Sequence, residues 1–162
     1  MNELRGKYFN ATQAAPNDVL WISSNMRQED RLEIERFYEE SPCDVLRFSF
    51  EQSVMSWTAY RPDGLPVAMW GVAKAPDKPH VGIPWMIGTD YIAECYRDFV
   101  SFSRHFDITM SRYFHVLVNA VDVEYAGARR WLKWLGYQEG NTIKSIKNYD
   151  FVVMYKDTSN VR

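Results

Sequence analysis

Cysteine is scarce. Cys43 and Cys95 are the only two in 162 residues, and they lie far apart with no CxxC pair. This spacing gives no disulfide framework and leads us to expect two reduced thiols in a cytoplasmic protein. Histidine is equally sparse: His80, His105 and His115 share no ligand spacing with one another or with the cysteines, so no metal site is expected. Basic charge is not in surplus. The formal net charge of −2 leaves no electrostatic footprint for nucleic acid or an anionic membrane. No run approaches the ~20 apolar residues of a membrane helix. The opening MNELRGKYFN lacks the apolar core of a signal peptide. Repeats, low-complexity tracts and linkers are also missing. What is plentiful is aromatic: 15% of the chain, with six Trp and ten Tyr. Such a chain is globular, and its length suits one ordinary domain, taken as residues 1–162.

The clearest unit is FHVLVNAVDVEYAGARRWLKWLGY, residues 114–137. Val116, Leu117 and Val118 read as a buried strand that Asn119 and Asp122 bring to an end. A helix follows from about Glu124, with Ala128, Trp131, Leu132 and Leu135 at i, i+3, i+4 and i+7 on one face. Arg129, Arg130 and Lys133 fall elsewhere and toward the helix end, where cations suit its dipole. Gly136 is placed as a left-handed cap, with Tyr137 closing over the last turn.

Taken in order, residues 7–12 read as a short edge strand and Pro16 as a first helical position. Residues 28–40 are helical, with charges on one side and Leu32, Ile34, Phe37 and Tyr38 over the rest. Ser41 and Pro42 end that helix and start another, as N-cap and first position. Strands at 56–60 and 65–73 flank a turn, Arg61-Pro62-Asp63-Gly64. A strand at 81–87 carries Pro84, which predicts an edge position or a bulge. Thr89 or Asp90 then caps a long helix returning near Tyr113. A polar turn at 139–141 precedes a last strand at 151–155. The order predicts an α/β (α+β) domain: a mixed, mostly antiparallel sheet of about six or seven strands with helices on both faces. The strands at 81–87 and 114–119, joined by a helical crossover, are expected to be a parallel pair that splays into a ligand slot.

This order resembles the GNAT family of N-acetyltransferases, and ARRWLKWLGY is similar to that family's fourth motif, N-x-x-A-x-x-x-Y-x-x-x-G-F. More narrowly, NMRQEDRLEI at 25–34, IPWMIGTD at 83–90, Ser103-Arg104, NAVD at 119–122 and WLKWLGY at 131–137 resemble a phage-encoded branch. That branch comprises the internal virion protein A-like proteins and phage acetyltransferases of short-tailed phages. The resemblance covers roughly residues 8–155 in collinear order.

Departures from the family pattern shape the functional expectation. The family's R/Q-x-x-G-x-G/A loop, whose backbone amides hold the cofactor pyrophosphate, corresponds to residues 88–94. Here that loop has one glycine and two acids, Asp90 and Glu94, whose charge would oppose phosphates. The tyrosine that usually protonates the leaving thiolate falls on Leu132, which has no proton to give, and the motif's asparagine falls on Tyr125. Leu132 and Trp131 are expected to be buried, with Leu132→Ala costing on the order of 2–5 kcal/mol.

Several residues carry two readings. Asn119 either holds a pantetheine-like arm or bonds local backbone at a strand exit. Gly88, Thr89 and Asp90 are a remnant anion site or a plain helix cap. Trp131 reads as core, while Trp85 and Trp134 could wall a slot, Trp134 being the better contact surface. Arg97, Glu94 and Asp98 read as a solvated helix face. Arg104 anchors a partner or phosphate, or forms a surface ion pair. Glu124 is a base for an amine or a first-turn carboxylate.

The first functional reading is a phage GNAT-fold protein, catalytically degenerate, acting through a phage or host protein partner in virion assembly or another phage complex. It would work in the host cytoplasm or virion, with no cofactor and acetyl-CoA binding weaker than about 1 mM. The alternative is an acetyl-CoA-dependent N-acetyltransferase, with Met86, Ile87, Gly88, Thr89 and Asn119 contacting the cofactor. A third reading is a phage inhibitor of a host protein.

Overall fold

Eight strands join one sheet in the computed structural model, which describes residues 3–159. The outermost residues of the expected 1–162 domain, 1–2 and 160–162, lie outside the described part. The strands are β1 (Leu4–Arg5), β2 (Asn10–Gln13), β3 (Ser53–Tyr60), β4 (Pro66–Ala75), β5 (Lys78–Gly88), β6 (Val116–Asp122), β7 (Gln138–Lys144) and β8 (Asp150–Asp157). Their order across the sheet is β1-β2-β3-β4-β5-β6-β8-β7. Every neighbouring pair is antiparallel except β5 and β6. These two run parallel and pair only at Val81 with Val116 and Gly82 with Leu117 before they diverge. The mixed, mostly antiparallel sheet with a splayed parallel pair is thus the observed architecture. The strand total exceeds expectation by β1 and β7. The 139–141 stretch, expected as a turn, lies inside β7: its side chains are exposed along the whole strand, so no alternation marks it, and pairing with β8 alone holds it extended.

Helices cover both faces. On one side lie α1 (Asp18–Ser24), α2 (Gln28–Phe37) and α3 (Pro42–Gln52); on the other lie α4 (Tyr96–Tyr113) and α5 (Ala126–Trp134). Local chemistry explains several ends. The Ser41 hydroxyl accepts the Asp44 N–H at 3.1 Å, and Pro42 occupies the first turn of α3. Gly136 adopts φ 97°, and the amides of Gly136 and Tyr137 close on the carbonyls of Lys133 and Leu132, both at 3.0 Å. The start of α4 departs from expectation. A 3₁₀ turn (Asp90–Ala93) intervenes, and neither Thr89 nor Asp90 caps the long helix. The Thr89 hydroxyl instead donates to the Val67 carbonyl at 2.8 Å. Tight coiling here tucks the buried Ile92 and Cys95 inward.

Pro84 sits in a central strand, with regular register against β4 from Gly82 to Gly88 and so no bulge. Its missing N–H costs nothing because that edge of β5 faces the splay, where β6 has already turned away. Side chains of even-numbered residues on β4 and β5, such as Trp70 and Met86, point toward α4 and α5. Those of odd-numbered residues, Met69, Trp85 and Ile87, pack with Val19, Ile22 and Leu46 under α1 and α3.

Candidate active site

Even-numbered residues of β5 also turn their backbone groups toward β6, and they can be followed one by one. The His80 carbonyl accepts the His115 N–H at 2.9 Å, and Gly82 pairs with Leu117. Pro84 offers only a carbonyl, which takes the Asn119 side-chain amide at 2.7 Å. Gly88 bonds α2: its N–H donates to Asp30 at 2.8 Å and its carbonyl accepts the Arg27 N–H at 2.9 Å. Met86 lies between them with the same orientation, and its N–H and C=O have no partner among the described residues. One donor and one acceptor are therefore left facing the gap. A main-chain donor and acceptor that face a cavity are available to a ligand.

The gap opens into a cavity of about 830 Å³ that reaches both faces of the sheet. This size is within the range of small-molecule and cofactor sites. On the α4–α5 side the walls are Trp70, Phe99, Phe102, Trp131 and Leu132, with Arg97 and Arg130 among the polar lining. Trp134 stands at this side, 45% exposed, with the Arg104 guanidinium 4.4 Å from its ring centre. On the α2 side the lining includes Arg27, Asp30, Glu33, Trp85 and Tyr125.

The α2 carboxylates have distinct environments. Asp30 is 3% exposed and fully engaged: it accepts from Arg27 Nε at 2.7 Å, from the Gly88 N–H, and from the Tyr125 hydroxyl at 3.1 Å. Burial first, and then the Asp30 charge, raise the Tyr125 hydroxyl well above its usual range. Glu33 has a single partner, the Asp122 N–H at 3.0 Å. Glu33 retains some accessible surface and lines the cavity, yet the protein around its carboxyl makes desolvation the leading influence. Burial, reinforced by the charges of Asp30 and Asp122, pushes it up to about 8 against the opposing Asp122 N–H and Arg27. A carboxyl poised near neutrality inside a cavity can take or return a proton.

The residues singled out from sequence scatter around this site. Met86 and Asn119 line the cavity, whereas Ile87 packs on the α1–α3 side. The Gly88 amide is spent on Asp30, and Thr89 lines a separate shallow pocket together with Asp90 and Glu94. The two acids expected to repel phosphates are thus not part of the cavity lining. Asn119 lies mid-strand on β6, not at its exit. It ties β6 to Pro84 across the gap, while its oxygen accepts the Ala120 N–H at 2.8 Å. Trp131 and Leu132 are half-buried, contrary to the expectation of full burial: α5 stands over the cavity, and only the end of its stripe, at Leu135 and Tyr137, is sealed. Glu124 pairs with Arg36 at 3.0 Å on the surface. Among the described residues no group of three or more His, Cys, Asp or Glu could hold a metal ion. No helix there is long and apolar enough to cross a membrane.

Asp30 and Glu33 escaped the sequence reading because it put the charges of α2 together on one side, away from its apolar residues. The signal was present: Asp30, Glu33, Ile34 and Phe37 stand at i, i+3, i+4 and i+7, an inward stripe with carboxylates in two of its positions.

No family model and no curated protein matches the sequence. Solved structures do match the fold. A ribosomal-protein-S5-alanine acetyltransferase from Vibrio fischeri superposes with TM-score 0.66 at 8% identity, over 100% of both chains. A GNAT-family acetyltransferase from Bacillus anthracis gives 0.66 at 10% identity, covering 98% of this chain and 100% of that one. An N-acetyltransferase from Staphylococcus aureus gives 0.66 at 12% identity, with 94% and 99% covered. The chain has the fold of the GNAT acetyltransferases.

Proposed function

We propose that the protein is an acyl-CoA-dependent N-acyltransferase that transfers an acetyl-sized group to an amine. The observation that carries this is the unpaired Met86 backbone, which opens into the same cavity as the Glu33 carboxyl. Arg97 and Arg130 on the cavity's α4–α5 side are cations suited to the phosphates of CoA, and Asp90 and Glu94 are not among its lining residues. In this reading the pantetheine arm lies in the splay as a substitute strand, and the Met86 N–H stabilises the oxyanion that forms on the thioester carbonyl. Glu33 in its ionised form takes the proton of the incoming amine. The nitrogen lone pair forms the C–N bond, the C–S bond breaks, and CoA leaves as a thiolate that takes a proton from water, since Leu132 supplies none. Action through a phage or host protein partner rests on the sequence resemblance alone, and no feature of the fold carries it.

The test is calorimetric titration with acetyl-CoA, followed by thiol release with a panel of small primary amines. We expect a Kd below about 1 mM, a binding free energy better than about −4 kcal/mol. Activity should rise with pH through about 8, the range in which Glu33 ionises. Glu33→Gln should lower kcat/KM by roughly 10²–10⁴-fold and abolish that limb of the profile. Absence of binding, or a Glu33→Gln variant as active as the wild type, would overturn the proposal.

A further inference from the structure

The family resemblance puts the diphosphate of a CoA thioester at the turn that follows β5, and here several amides of that turn are already committed. The Gly88 N–H is held by Asp30 and the Thr89 N–H by the Val67 carbonyl at 2.9 Å. The amides of Ile92, Glu94 and Cys95 close the 3₁₀ turn on Thr89, Tyr91 and Ile92 at 3.2, 3.0 and 3.2 Å. The Ile92 side chain also lies directly over Gly88, where a Cβ would overlap it, so the one glycine of the loop serves packing. These five main-chain donors are therefore committed within the protein.

Two cations stand at the cavity instead. Arg97 in the first turn of α4 and Arg130 on α5 both line it, and neither guanidinium makes an ion pair or hydrogen bond among the described residues. The lining also includes the small residues Ala93, Gly127 and Ala128, and a Cβ on Gly127 would meet nothing closer than 3.9 Å. We propose that Arg97 and Arg130 bind the diphosphate of the CoA nucleotide by their side chains, in place of backbone amides. This rests on the acyltransferase reading above. Guanidinium groups suit the task because they form paired, charge-assisted hydrogen bonds to phosphate oxygens.

The experiment is calorimetric titration of the full chain with acetyl-CoA and with S-acetylpantetheine, which has the same thioester arm and no nucleotide. Wild type should bind acetyl-CoA the more tightly. The double variant Arg97→Gln, Arg130→Gln should lose about 30-fold or more in acetyl-CoA affinity, with a weaker salt dependence. Its affinity for S-acetylpantetheine should not change, which also shows that the cavity is intact. Equal binding of acetyl-CoA by the double variant and wild type would overturn the assignment and leave the acyltransferase reading standing, as would equal affinity of wild type for the two ligands. If wild type binds neither ligand, the acyltransferase reading itself fails and takes this assignment with it.

Discussion

Glu33 couples the site to the stability of the molecule. Burial pushes its carboxyl up from the ordinary 4.5 to about 8. Between those values the folded state binds more protons than the unfolded state, so stability falls as pH rises through that window and levels off above about 8. Glu33→Gln keeps an oxygen for the Asp122 N–H and removes the buried charge. We expect the variant to be the more stable one at pH 8.5, by about 1–3 kcal/mol, a partial share of a shift this size because the cavity admits water. The gain should shrink toward pH 5. Urea melts of both proteins at the two pH values check this, and curves that stay parallel would remove Glu33 from the set of perturbed groups. Asp30 is more deeply buried, and with Arg27, Gly88 and Tyr125 all donating to it, it is a structural joint between α2 and β5. The charges in NMRQEDRLEI were legible as charges. Which of them turn inward depends on how α2 docks, and the sequence pattern alone did not fix that.

At the scale of elements, α5 shows how a correct periodic stripe can mislead about burial. Ala128, Trp131, Leu132 and Leu135 do share a face, but that face spans a cavity before it reaches core at Leu135 and Tyr137. Leu132→Ala should therefore cost about 1–2 kcal/mol, since its removal enlarges a space that already exists instead of creating one in packed core. Guanidinium melts decide between this and the 2–5 kcal/mol expected for full burial. The Gly136 cap and the Ser41 N-cap were readable because they depend on one residue's stereochemistry or one side-chain hydrogen bond. By contrast, β7 was not readable, since an exposed edge strand has no apolar alternation to announce it. The late start of α4 was hidden for a similar reason: Thr89 is an apt cap by residue type, yet its hydroxyl finds a better-placed carbonyl at Val67.

At the scale of the whole molecule, the divergence of β5 from β6 leaves a wedge-shaped vacancy in an otherwise continuous sheet. A ligand that fills it binds only the folded chain and must stabilise it. With acetyl-CoA at about a hundred times its Kd, the gain is about 2.7 kcal/mol, or a Tm increase of roughly 5–10 °C for a domain of this size. Differential scanning fluorimetry reads this directly. A flat melting temperature at millimolar acetyl-CoA would speak against a cofactor in the splay.

The sequence by itself determined the order of the main helices and of six of the strands and the parallel pairing across a helical crossover, because each follows from local periodicity, turn chemistry and the handedness of connections. It also put Leu132, which has no proton to give, where the family resemblance expects a tyrosine. Tertiary structure alone decided that Met86 is the β5 residue left without a partner, that Asp90 and Glu94 line a different pocket, and that Glu33 meets Asp122 at the cavity wall. The physical reason is distance along the chain. Glu33 and the Asp122 amide it accepts from are 89 positions apart, and only the packing of α2 against the open edge of the splay brings them together.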